Sequence, residues 1–140
     1  MSSSTIPLIA PDNLALTAGN NSFVSNWADK RSIPFPTISV VLRGTNNTQG
    51  TLTLEVSNVP EQGGGTYGKP SPNVVTGTGD PDDVTTFGGS IAVNQTKTTA
   101  YLFAPTVPVG CRWIRVRYTA SASVAGITAS AYFSGAMSST

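Results

Sequence analysis

Histidine is absent from the 140 residues, and cysteine occurs once, at Cys111. Without histidine there is no Ser-His-Asp triad, no imidazole base and no imidazole-ligated metal. A single cysteine allows neither a disulfide framework nor a cysteine zinc site. Charge is scarce as well, at 11% of residues, where an average soluble protein carries about 25%. Lys plus Arg is 8 and Asp plus Glu is 7, giving a net charge of +1. No basic block accompanies that balance, which argues against nucleic-acid binding driven by phosphate neutralisation. No apolar run approaches about 18 residues, so no membrane-spanning helix is expected. Residues 1–7 carry neither a basic n-region nor an apolar h-region, so no signal peptide is expected either. The expected compartment is reducing, or the fold needs no disulfide. So few carboxylates and no histidine lead to the expectation of a protein that is not an enzyme and holds no cofactor.

What is present is hydroxyl, glycine and proline. Ser and Thr together supply 35 residues, alongside 14 Gly and 10 Pro. The mass of 14.4 kDa fits one domain. Folded, such a chain exposes roughly 6,800 Å², about one-third of its extended surface, which leaves enough burial for one core. Soluble monomers normally use charge to stay apart, so a neutral, hydroxyl-rich surface suits a protein packed against neighbours or one coated with water-binding Ser and Thr.

The patterning is that of an all-β chain. Residues 37–43 alternate, with Ile38, Val40 and Leu42 on one face. Residues 51–57 place Leu52, Leu54 and Val56 inward and Thr53, Glu55 and Ser57 outward. Residues 112–119 set Ile114, Val116 and Tyr118 against Arg115, Arg117 and Thr119, and residues 126–135 align Ile127, Ala129, Ala131 and Phe133. A period of two marks half-buried antiparallel strands. Weaker strands are expected at 13–17 and 22–27, flanking the turn residues Gly19-Asn20-Asn21, and at 85–93 and 98–103. Residues 44–50 and 120–125 read as hairpin connections. About eight strands fit a two-sheet antiparallel sandwich, and the missing Cys-Trp-Cys arrangement favours a jelly roll over an immunoglobulin-like sandwich. Residues 1–12, broken by Pro7 and Pro11, read as an extended N-terminal arm. Residues 13–136 form the sandwich, residues 58–83 a long loop of the kind that is functional or ordered by a partner, and residues 137–140 a tail.

Candidate chemistry is sparse. Asp80, Asp82 and Asp83 can supply oxygen ligands to Ca²⁺ or simply form a polar turn. A glycosidase pair drawn from Glu55, Glu61, Asp12 and Asp29 lacks acidic neighbours in sequence, and Glu55 reads as a surface residue. Cys111 reads as a small buried filler. The runs Asn20-Asn21-Ser22, Asn46-Asn47-Thr48 and Asn94-Gln95-Thr96 match the glycosylation sequon but read as turn and loop chemistry. Arg112, Arg115 and Arg117 form a stripe with Trp113. It faces either a partner subunit or solvent, with local pairing to Glu55 in the second case. Trp113 shares their outward parity; Trp27 reads as a core or lid aromatic, with sugar stacking by Trp27 or Tyr67 as the other reading.

The strand-loop-strand run Val41 to Asn58, followed far downstream by Cys111-Arg112-Trp113-Ile114-Arg115-Val116-Arg117-Tyr118-Thr119 and Gly126-Ile127-Thr128-Ala129-Ser130-Ala131-Tyr132-Phe133-Ser134-Gly135, resembles small structural proteins of tailed bacteriophages. In size and neutrality the chain is similar to jelly-roll head decoration, or cement, proteins. That resemblance implies a clamp on the outside of the virion capsid. It would be made in the host cytoplasm, pair with itself as a homodimer, and bridge neighbouring major capsid protein subunits, with no nucleic-acid or membrane partner. The residues expected to meet a partner are Ile6, Pro7 and Leu8 in the arm, with Trp27, Tyr67, Arg112, Trp113, Arg115 and Arg117. The rival expectation is a carbohydrate-binding or structural sandwich module of a phage tail, baseplate or fibre, with Trp27, Tyr67 and Trp113 as the exposed rings.

Overall fold

The computed structural model describes residues 2–9, 14–16, 22–30, 33–58, 73–74, 84–121 and 126–137. These form eleven strands: β1 (Ser2–Pro7), β2 (Leu14–Leu16), β3 (Phe23–Val24), β4 (Ala28–Asp29), β5 (Thr37–Arg43), β6 (Thr48–Ser57), β7 (Asn73–Val74), β8 (Thr85–Gln95), β9 (Thr99–Phe103), β10 (Trp113–Ala120) and β11 (Ile127–Met137). β5, β6, β10 and β11 lie where the period-two pattern predicts them, and β8 where a weaker strand is expected. All the described ladders are antiparallel.

Two sheets result. One runs β1-β11-β5-β9, with β2 also on β11, and the other runs β7-β3-β10-β6-β8, with β4 also on β10. β1 and β2 pair with successive stretches of β11, so they act as one interrupted strand. β3 and β4 share β10 in the same way. Taking each interrupted strand once and setting β7 aside, each sheet has four principal strands. The chain passes to the opposite sheet between β5 and β6, between β8 and β9, and between β10 and β11. Strands next to each other in sequence therefore face across the core instead of pairing, which is jelly-roll connectivity. The segments 44–50 and 120–125, expected as hairpins, join strands of different sheets. Local composition marks a turn but not which strands it separates. The two connections meet at one end of the sandwich, where Gly44 (φ 145°) and Gly126 (φ 83°) adopt backbone open mainly to glycine. A Cβ on Gly44 would lie 2.9 Å from the Gly126 carbonyl oxygen.

The inward faces make one core. Ile38, Val40, Leu42, Ala129, Ala131 and Phe133 of one sheet meet Leu52, Leu54, Ile114, Val116 and Tyr118 of the other, all buried. Tyr118 packs on Phe23 with ring centroids 5.6 Å apart, and its hydroxyl donates to the Gln49 carbonyl at 3.0 Å. Burial pushes this phenol up from its ordinary 10.0 to about 12.

The expected N-terminal arm is instead a strand. Residues 2–7 pair in continuous register with β11, from Ser2 opposite Met137 to Pro7 opposite Tyr132. Leu8 and Ile9 are then fully buried in the core. The Leu8 amide donates to the Ala131 carbonyl at 2.7 Å, and its carbonyl accepts from the Asn26 amide at 2.6 Å, so Leu8 ties one sheet to the other. Ser-Ser-Ser-Thr has no apolar alternation, so its pairing is invisible to hydrophobic patterning. β11 runs through Met137, into what was expected to be the tail. Within the expected long loop, Asn73 and Val74 pair with β3.

Candidate functional site

The arginine stripe is turned onto its own chain. β10 and β6 pair with Arg115 opposite Glu55, and Glu55 is buried on the outer face of its sheet instead of lying at the surface. Its Oε1 accepts from Arg115 Nε at 2.7 Å and its Oε2 from Arg117 Nε at 2.8 Å. The Arg115 guanidinium also lies 4.4 Å from the centroid of the Trp27 ring. Trp27 lies in the break between β3 and β4. At the break, Ser25 keeps β10 satisfied: its amide donates to the Val116 carbonyl, and its Oγ accepts from the Val116 amide at 3.0 Å. Arg112 makes a two-bond fork to Asp29, at 2.9 and 2.7 Å, and lies over the Trp113 ring.

Side-chain exposures of 8% for Arg115 and 7% for Glu55 decide between the two readings of the stripe in favour of local pairing. Trp113 has the predicted parity but is 5% exposed, and Trp27 is 8% exposed, so neither is the exposed ring expected of a partner surface or sugar platform. Arg117 is half-buried, and Arg112 remains exposed. In the former arm, Leu8 is buried, Pro7 is exposed at the end of β1, and Ile6 lies opposite Phe133 in the register. Tyr67, Asp12, Glu61, Asp80, Asp82, Asp83 and the turn Gly19-Asn20-Asn21 lie outside the described residues.

Sequence reasoning missed Lys30, which is 2% exposed. Its Nζ donates to the Ile33 carbonyl at 3.1 Å. Desolvation lowers its pKa, and the nearby Cys111 partly offsets this. Cys111 is half-buried against the core.

Among the described residues, the side of the sandwich opposite Leu8 is open. There the edge strands β8 and β9 leave a cleft of about 290 Å³ between the sheets. It is lined by Phe87 and Ile91 of β8, Leu54 of β6, and residues 102–107 of β9 and the segment after it. Thr106 has the one polar side chain among the lining residues. Leu102 and Val107, 60% and 58% exposed, flank it. Gly88 and Gly89 form the remaining wall. Gly88 has φ 76°, and the β6–β8 register shifts between Leu52 and Leu54. The glycines permit a bulge that bends the edge strand. Beside the cleft, hydrogen bonds link β8, β9 and β5: Tyr101 donates to Gln95 Oε1 at 2.5 Å, and Gln95 Nε2 donates to the carbonyls of Leu42 and Lys97. The signal available in sequence was the absence of charge from 84 to 96, together with Leu102 and Val107 around Pro105.

No family model matches the chain, and no curated protein matches it. Among solved structures it is similar to the enzymatically active domain of tailspike protein 4 of bacteriophage CBA120, with 13% sequence identity and a TM-score of 0.45. The match covers 97% of this chain and 18% of that one. That domain is described as enzymatically active, and the expectation that this chain is not an enzyme is not carried forward.

Proposed function

We propose that the chain is a structural β-sandwich module of a bacteriophage particle, built into its tail, baseplate or fibre and held there by neighbouring protein subunits. The observation that carries this reading is the β8–β9 side, open among the described residues, with its uncharged cleft and the exposed Leu102 and Val107. Sites for small ligands occupy roughly 300–1,000 Å³ and combine apolar walls with several placed polar groups. This cleft is at the bottom of that range, with Thr106 as its one polar side chain. Its chemistry suits one or two apolar side chains of a neighbouring protein, the kind of anchor that dominates protein interfaces. The low overall charge agrees, because copies held in an assembly need little charge to stay apart.

The head-cement reading places the chain on the major capsid protein at the virion exterior and gives the N-terminal arm the task of gripping a neighbour. Residues 2–7 are already paired with β11, which favours the tail, baseplate or fibre. The test separates purified particles of the encoding phage into heads and tails and assays each fraction for this chain by mass spectrometry. Recovery with tails is expected. Recovery with heads supports the cement reading instead, and absence from both fractions overturns the assembly reading altogether.

A further inference from the structure

We propose that two copies of this chain pair through their β9 strands, edge to edge and antiparallel about a two-fold axis at Tyr101. Among the described residues β9 pairs with β5 alone and ends its sheet. Proteins that stay monomeric protect such an edge with charge, proline or a bulge inside the strand. β9 reads Thr99-Ala100-Tyr101-Leu102-Phe103 and has none of these. Its outer face presents Ala100 and Leu102, both exposed, while Phe103 is buried.

The register makes this edge self-complementary. With Tyr101 on the two-fold, Ala100 lies directly opposite Leu102 of the partner subunit, and Leu102 opposite Ala100 of the partner subunit. A small side chain faces a large one twice, on the face where cross-strand pairs contribute most directly to pairing. The flanking charge permits it. The two Lys97 residues would stand at opposite ends, roughly eight residues or 27 Å apart along the strands, well beyond the screening length of about 8 Å. The result is one continuous sheet running through both subunits, with the interface isologous as a two-fold requires.

Size sets the strength. Five residues give an edge of about 17 Å, short of the roughly 800 Å² per partner of a standard interface. The pairing is therefore expected to be concentration-dependent. It does not rest on placing the chain in a phage particle: a monomeric chain recovered with tails would overturn the pairing and leave the placement, and the converse would do the reverse.

The test is sedimentation velocity of the full chain from about 10 μM to about 1 mM, the range in which a weak dimer forms. A reversible monomer–dimer equilibrium is expected. Leu102→Lys should weaken it about tenfold or more, by placing like charges diagonally across the two-fold. Its unchanged melting temperature would show that the monomer is intact. Independently, Ala100→Cys with Leu102→Cys, in a Cys111→Ser background, should give a covalent dimer on mild oxidation, because opposed strand residues lie about 4.5–5.5 Å apart at Cα. Ala100→Cys alone should not. A chain that remains monomeric throughout, a dimer indifferent to Leu102→Lys, or failure of the paired cysteines to cross-link would overturn the proposal.

Discussion

Replacing Glu55 by alanine should be among the most costly single changes on the outer face of the second sheet. Glu55 is the common acceptor for Arg115 and Arg117, and the side-chain exposures of the three groups are 7%, 8% and 15%. Removing the carboxylate leaves two guanidiniums held side by side, one of them pinned under Trp27. Breaking a buried pair by deleting one partner costs about 3–5 kcal/mol, because the surviving charge stays desolvated. Arg117 is the more exposed of the two and can turn towards water, which places the expected loss near the bottom of that range, at about 3 kcal/mol. For a chain of this length each kcal/mol lowers the melting temperature by roughly 3–4 °C, so a fall of about 10 °C is expected. Glu55→Gln keeps the shape and one acceptor but points an amide donor at the other arginine, so it should fall between. In the double variant Glu55→Ala/Arg115→Ala the costs should not add, with a coupling of about 1–3 kcal/mol. Thermal melting by circular dichroism and urea titration read these changes, and the shift should be nearly the same at low and high salt, since buried pairs are poorly screened. The reasoning is refuted if Glu55→Ala melts within about 3 °C of the parent, the size of a solvated surface pair.

Other perturbations test other parts of the fold. Deleting residues 1–9 should destabilise the sandwich itself, because it strips the partner of residues 132–137 of β11 and removes Leu8 and Ile9 from the core. Full burial of two such side chains contributes about 3–6 kcal/mol, read as a lowered urea midpoint. Tyr118 carries a raised pKa of about 12. The unfolded chain ionises this phenol first, so its contribution to stability is whole below pH 10 and is lost as pH rises through 12. Up to roughly 2–3 kcal/mol is at stake. Tyr118→Phe should flatten that part of the decline when urea midpoints are compared at pH 9 and pH 11, and an undiminished decline would count against this assignment. Gly50→Ala should cost about 1–3 kcal/mol in thermal unfolding, since a Cβ there would collide with the Thr119 carbonyl oxygen and the Tyr118 ring.

The sequence by itself determined the long strands and the faces they bury. Alternation in residues 37–43, 51–57, 112–119 and 126–135 carries that information locally, because neighbouring side chains on a strand must point to opposite sides. It also determined that the sandwich would be poor in charge. The pairing of those strands was decided only by the tertiary structure. The described ladders join strands distant in sequence, and segments 44–50 and 120–125 look like hairpins until β5 and β11 are seen in one sheet and β6 and β10 in the other. Residues 2–7 became a strand through backbone bonds to β11, which leave no hydrophobic pattern. The stripe Trp113-Arg115-Arg117 had the expected parity, yet parity says nothing of what covers a face. Glu55 reached it from β6 and Trp27 from the break between β3 and β4. The cleft has the same origin. Phe87, Ile91, Leu102 and Val107 meet because two sheets end side by side without a further strand between them among the described residues. That is a property of the packed edges and is encoded in no single segment.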